Sequence, residues 1–391
     1  MNYQELHTAV QSAAGLRLRL RLQSMYGEGE IVFPSTYSGG GYLISDRRIP
    51  GYTDAVKCAI LDSVQSQANR MEEALLADIR AEKLKLPHAF TDFSDLKDLP
   101  KPIGKITTLE TPHRIFDAII RDSEMDGVRF PNTEAGKAVV KANSKNATPL
   151  FQYDPTSLLF GSWDSTGVSG GLGEKFTRCV VSEIVAINSF QASRRGTRID
   201  PLNASKDVGI TRSSKDKLEW EVKGEAKEKG ILKASELNHG SIPWPKDGDL
   251  HGGITCDYIQ QSLTISLPAL RQLRFPVTDK PGADSKAQTV LAAIALHAAA
   301  LNVERGWHLR SRCDLVLEDK QVIEWEILGN QPTRQPLSAE ITRALLITAI
   351  DEAKSAGLPW QENPLALKPS KSLAELVRKS QELQRTSETA D

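Results

Sequence analysis

The stretch AGLRLRLRLQ (14–23) alternates leucine and arginine without a break. Successive side chains of a strand point to opposite faces, so Leu16, Leu18, Leu20 and Leu22 share one face and Arg17, Arg19 and Arg21 the other. The fold must therefore supply a core for the first face and water or an anion for the second. One reading is an ordinary half-buried sheet with a wet face. Wet faces usually mix Thr, Glu and Lys, however, and three arginines two residues apart repel unless an anion lies across them. The guanidinium fork suits phosphate, and a sheet bearing such groups is one way to hold single-stranded RNA.

The loop FPSTYSGGGYLISDRRIPGYTD follows, with three glycines at 39–41 and then Asp46, Arg47 and Arg48. We expect a helix from about Ala55 to Lys83. Within it LDSVQSQANRMEEALL (61–76) repeats Leu61, Val64, Ala68, Met71 and Leu75 at steps of three and four, giving one apolar stripe. The other side carries Ser63, Gln65, Ser66, Gln67, Asn69 and Arg70 before any acid appears at Glu72 and Glu73. Solvated helix faces usually carry Glu and Lys pairs. Short neutral donors near a helix N-terminus suit phosphate and sugar hydroxyls instead, helped by free backbone N–H groups and the helix dipole. The alternative is a helix buried on both sides.

Further on, residues 86–106 read as irregular linker rich in proline and polar groups. TPHRIFDAIIRDS (111–123) reads as a short amphipathic helix with Ile115, Phe116, Ile119 and Ile120 inward, and PTSLLFGSWDS (155–165) as a buried strand ending in a turn. FTRCVVSEIVAINS (176–189) reads as strand or helix. The segment 191–235 is basic, with eleven Lys or Arg against seven Asp or Glu. In it SFQASRRGTRIDPLNASKD places Arg194, Arg195 and Arg198 around Gly196 and before Pro201, a biased and stiffly punctuated loop suited to a phosphate chain. GGITCDYIQQSLTISLPALRQLRF (252–275) reads as one or two strands leading into a helix, 286–306 as a long buried helix, and 307–328 as a hairpin. The order predicts an α+β class.

Composition narrows the function. Net charge is −1, so any nucleic acid must be held by local patches rather than a global basic field. Cys58, Cys179, Cys256 and Cys313 are scattered without a CxxC pair, which argues against zinc and a disulfide framework and for reduced thiols in the cytoplasm. We find no signal-peptide layout at the N-terminus and no run of about 18 apolar residues, so no membrane partner is expected. GVSGGLGEK (167–175) lacks the spacing of a phosphate loop or a dinucleotide site, with Glu174 between Gly173 and Lys175. The seven histidines form no HxH or HExxH pair, and His297, in the apolar helix, reads as a satisfied core histidine. No cofactor, metal or catalytic residue is expected.

Taken in order, LDSVQSQANRMEEAL, TPHRIFDAIIRDS, SLLFGSWDS, VSEIVAINS, SRRGTRIDP, the GGIT segment and LRSRCDLV resemble the backbone subunit of the type I-G (formerly I-U) CRISPR Cascade complex, over roughly residues 14–330. The resemblance implies an RNA-recognition-motif-like (ferredoxin-like) core with large insertions and a projecting thumb hairpin. It implies copies stacked in a helical filament along the spacer of a CRISPR RNA (crRNA), displaying it to target DNA beside other Cascade subunits and a recruited helicase-nuclease. On this basis residues 1–360 form one domain, with an insertion at about 84–155, a candidate thumb at about 194–250 and a charged tail at 361–391. The loop 30–54 is the other candidate projection. The RNA contacts so implied are Arg47 and Arg48 after the first strand, Ser63, Gln65, Ser66, Gln67, Asn69 and Arg70 on the helix, His113 and Arg114, and the Arg194, Arg195 and Arg198 cluster, alongside Arg17, Arg19 and Arg21.

Two other functions compete. Type III relatives cut target RNA through an aspartate after the first strand, a place that Asp46 occupies here. A protein scaffold that binds no nucleic acid is the second.

Overall fold

The computed structural model describes residues 1–37, 41–165, 173–193, 199–205, 208–213, 219–225, 231–237, 239–240, 252–278, 280–318, 323–329, 332–336 and 338–387. A capped helix, α1 (Tyr3–Ser12), leads into the alternating segment, which forms the ten-residue strand β1 (Gly15–Ser24). Leu16, Leu18, Leu20 and Leu22 are all at most 2% exposed. Burying each contributes about 1.5–3 kcal/mol, so the leucine face decides which way the strand turns. Arg17 and Arg21 are half-buried and Arg19 is exposed on the opposite face.

A hairpin of β2 (Ile44–Arg47) and β3 (Val56–Asp62) comes next, then helix α2 (Val64–Arg80). The expected helix from Ala55 is therefore a strand up to Asp62. VKCAILD is rich in β-branched and apolar residues, and Ser63, in extended conformation, starts the helix by accepting a hydrogen bond from the Ser66 N–H. The central sheet is completed by β4 (Val180–Ile187), β5 (Tyr258–Ser266), helix α3 (Ala283–Glu304), β6 (Trp307–Arg310), β7 (Cys313–Leu317), β8 (Glu324–Leu328) and β9 (Thr333–Pro336), followed by α4 (Ala339–Ser355). This is an α+β fold. The strand order is β6-β7-β1-β5-β4-β3-β2. β1 runs antiparallel to β5, and β5 antiparallel to β4. On its other edge β1 pairs with β7 through Leu22–Ser24 and with β8 through Gly15–Arg17, so the sheet splits there.

Helices α2 and α3 pack on the leucine face, and the apolar residues of β1, α2, α3 and α4 form one continuous core. α3 is long and apolar enough to cross a membrane, unlike the expectation, but 94% of its apolar window is buried inside the fold. His297 lies in it at 0% exposure, with Nε2 3.2 Å from Asp78 and Nδ1 3.0 Å from Thr342. Arg343 donates to the same Asp78 oxygen at 2.8 Å. The core histidine is thus satisfied on both nitrogens.

The 84–155 region is more ordered than linker composition implies. Its strands Lys105–Thr107, Ala89–Asp92, Ser123–Met125 and Val128–Arg129 join Leu365–Pro369 in a second sheet of five strands. Leu365–Pro369 runs parallel to Ala89–Asp92, so the beginning of the charged C-terminal segment is built into this layer. Residues 114–121 form a 3-10 turn (Arg114–Phe116) and one short helix (Ala118–Arg121), not a continuous helix. Thr156–Phe160 is helical where a buried strand was expected; all five side chains are buried, and a short, fully buried run fits either element. A three-stranded sheet, with Val208–Arg212 between Trp220–Glu225 and Leu232–Lys233, lies within 194–250.

Candidate nucleic-acid interface

The face of the central sheet opposite the helices carries polar residues in rows from β1 and β5, beside a small apolar cluster of Cys58, Ile60, Val185 and Ile187. Arg17 stands across from Thr264 and then Val181, Arg19 from Ser262 and Glu183, and Arg21 from Gln260 and Val185. Arg17 donates to Glu326 at 2.6 Å, and Arg334 donates to the same carboxylate at 2.8 Å. Those hydrogen bonds hold the Glu326 carboxyl below its usual range. Arg47, from β2, pairs with Glu183 at 2.8 Å, and this bond raises the guanidinium above its ordinary value. The Arg21 guanidinium carbon lies 3.2 Å from the centre of the Tyr258 ring. Arg19 and Arg48 are exposed, and neither has a hydrogen bond or ion pair among the described residues. The ion pairs on this face are partly exposed, where such pairs contribute about 0–1 kcal/mol.

The polar side of α2 divides in two. Gln65 and Asn69 are exposed, and Ser63 and Ser66 are half-buried at the capped N-terminus. Gln67 instead is 0% exposed and bonded on both ends of its amide. Its Nε2 donates to Asp62 at 2.5 Å, while its Oε1 accepts from Ser182 at 2.8 Å and from Gln261 at 2.9 Å. Gln261 in turn accepts from the Trp307 indole at 2.8 Å. The network ties α2 to β3, β4, β5 and β6, and its members are buried. Arg70 donates to Asp62 at 3.0 Å and to the backbone oxygens of His308 and Leu309 at 3.1 and 3.0 Å. It caps the outer edge of β6, which otherwise presents unpaired carbonyls. Gln67 and Arg70 therefore hold the structure together, and Gln65, Ser66 and Asn69 face outward or nearly so.

Arg114 is 4% exposed. Its guanidinium makes two bonds to Glu72, at 2.6 and 2.7 Å, and one to the Gly161 oxygen at 2.6 Å. Its backbone φ of 54° lies in the left-handed region, a strained state for arginine that the three bonds hold in place. Burial pushes the Glu72 carboxyl up to about 7, against the pull of Arg114. His113, beside it, is exposed.

The arginines of β1 and the exposed donors of α2 lie on opposite sides of the sheet. They meet only around its edge, where Arg70 holds β6. Sequence reading passed over His308 and Tyr26 at that edge, and over Ser262 and Thr264 in the rows. Alternation in WHLRSRCDLV was the available signal for His308. Arg194, Arg195 and Arg198 fall outside the described residues. Asp46 is exposed, with Lys57 at 3.6 Å. Among the described residues no three His, Cys, Asp or Glu side chains converge as a metal site.

Residues 16–191 match the model of a family described as CRISPR-associated protein GSU0053. The matched span includes β1, α2 and β4. None of the curated proteins compared matches the chain. The family match supports a CRISPR-associated protein with a role in CRISPR defence.

Proposed function

We propose that this protein is a non-catalytic crRNA-binding backbone subunit of a Cascade complex of type I-G, one that polymerises along the guide and presents it to target DNA. The observation that carries the reading is the arginine-bearing open sheet face, lying in the span that matches a CRISPR-associated family. β1, β4, β5 and β7 with α2 and α3 run in the order strand, helix, strand, strand, helix, strand. Their spatial order is β7-β1-β5-β4. Both features support an RNA-recognition-motif-like core, in which the open face of a four-stranded sheet takes single-stranded RNA.

Grip on a guide must ignore its sequence and leave base edges free for pairing. Arginine and neutral donors contacting phosphate and sugar meet both demands. A net charge near zero fits as well, because copies that stack need one basic track and otherwise neutral or complementary flanks. The partners of this reading are crRNA, target DNA, further copies of the chain, other Cascade subunits and a helicase-nuclease that does the cutting, all in the cytoplasm.

The test is to co-express the full chain with a CRISPR array and its partner subunits, purify it, and run the bound nucleic acid on a denaturing gel. A discrete RNA of guide length is expected. Protein free of RNA at moderate salt would overturn the reading and favour a protein scaffold.

A further inference from the structure

At the β6–β7 edge, two exposed rings flank one carboxylate. His308 stands opposite Asp314 in the hairpin register, and its Nδ1 is 2.5 Å from Asp314 Oδ1. The Tyr26 hydroxyl donates to the other oxygen, Oδ2, at 3.4 Å. The His308 side chain is 74% exposed, and Tyr26 is 59% exposed. Neither ring is loose. The Met25 N–H donates to the Asp314 backbone oxygen at 2.9 Å, the Tyr26 N–H to Ser24 Oγ at 3.2 Å, and Gly27, at φ 124°, closes the turn with its N–H on the Ser24 oxygen. Under His308, the backbone is held by Arg70.

Trp307, Cys313 and Leu315 are buried, so alternation puts His308 and Asp314 on the outward side, the side that carries Arg19 and Arg21. Gln23 and Val316, facing neighbours in the β1–β7 ladder, lie between them. An adjoining cleft lined by Gln23, Tyr258, Glu28, Glu30, Asp257 and Glu318 puts acidic groups beside this stretch, which disfavours phosphate there and leaves contact through a base ring. Two exposed aromatic rings beside the arginine side, each joined to Asp314 through one polar atom, offer π-faces to a ligand.

We propose that the Tyr26–His308 ledge seats one unpaired base of single-stranded RNA by stacking. The inference rests on the RNA-binding reading above and adds a contact to a base ring, where the other contacts grip phosphate and sugar. Stacking on aromatic side chains tolerates every base, so it is compatible with a grip that ignores sequence.

The experiment uses the full chain and a fluorescein-labelled oligouridine RNA, compared with the same RNA in which the bases are replaced by abasic sites. Tyr26→Ala and His308→Ala are each expected to weaken oligouridine binding by about 5- to 150-fold, with little change for the abasic RNA and an unchanged salt slope. Tyr26→Phe and His308→Tyr keep a ring and are expected to restore most of the affinity, which separates stacking from general unfolding. Equal binding of oligouridine by wild type and both alanine variants overturns the ledge alone. Failure of the wild type to bind either RNA at low salt overturns the RNA-binding reading and the ledge with it.

Discussion

The two faces of the central sheet are built from the same strands and handle polar groups in opposite ways. Beneath α2, the side chains of Asp62, Gln67, Ser182, Gln261 and Trp307 are joined in one buried network. On the far face Arg19 has no partner among the described residues, and Arg17 and Arg47 are paired with glutamates that remain partly exposed. A buried polar group must find its partner within the fold or lose about 1–3 kcal/mol, whereas an exposed one is satisfied by water and stays available. Availability to a ligand is thus set by burial and not by residue type. Arg114 and Arg19 are chemically the same group with opposite consequences.

The sharpest way to break this comparison is Arg114→Ala. It leaves Glu72 buried without its cation and is expected to cost about 3–5 kcal/mol in urea unfolding, with RNA affinity affected only through loss of folded protein. A double replacement of Arg114 and Glu72 by apolar residues of similar size should recover much of that loss.

The same pair predicts a pH effect. With its folded carboxyl raised to about 7, Glu72 holds a proton that the unfolded chain has released, so stability falls as pH rises from the usual carboxylate range to about 7. Asp154, fully buried and also pushed up by burial, acts in the same direction. Glu72→Gln should therefore flatten the slope in part. An unchanged slope in unfolding free energy from pH 5 to 7 would show that Arg114 keeps Glu72 ionised throughout.

Intermediate effects belong to the network and the edge cap. Gln261→Leu strands the Trp307 indole N–H and removes one donor from Gln67, for an expected loss of about 1–3 kcal/mol by chemical denaturation. Arg70→Ala removes one of the two side-chain donors to Asp62 and uncaps β6, so it should lower the unfolding midpoint more than Asn69→Ala. Equal midpoints would remove Arg70 from the structural class and return it to the interface.

The smallest effect on stability is expected on the open face. Arg19→Ala should stay within about 0.5 kcal/mol of wild type. It should nevertheless reduce the slope of log affinity against log salt by about 0.7, the share of one phosphate contact to a single strand, and should do so equally for unrelated guide sequences. A loss that depends on guide sequence would mean that Arg19 reads bases.

Alternation in β1, the apolar stripe of α2 and the alanine-rich run of α3 were legible in the sequence, because side-chain direction follows from local backbone geometry. The α+β class followed from their succession. The start of α2 was misread, since a strand of apolar residues before a capped helix carries the same short apolar run as a helix's first turns. What only the tertiary structure decided is which polar residues are occupied. Arg17 finds Glu326 at a separation of 309 residues, and Gln67 finds Gln261 at 194. No local pattern encodes such pairings, so Gln67, Arg70 and Arg114 looked like surface groups until the fold buried or paired them. The chain's local chemistry determined that an arginine face exists; long-range packing determined which of its polar groups are left for a ligand.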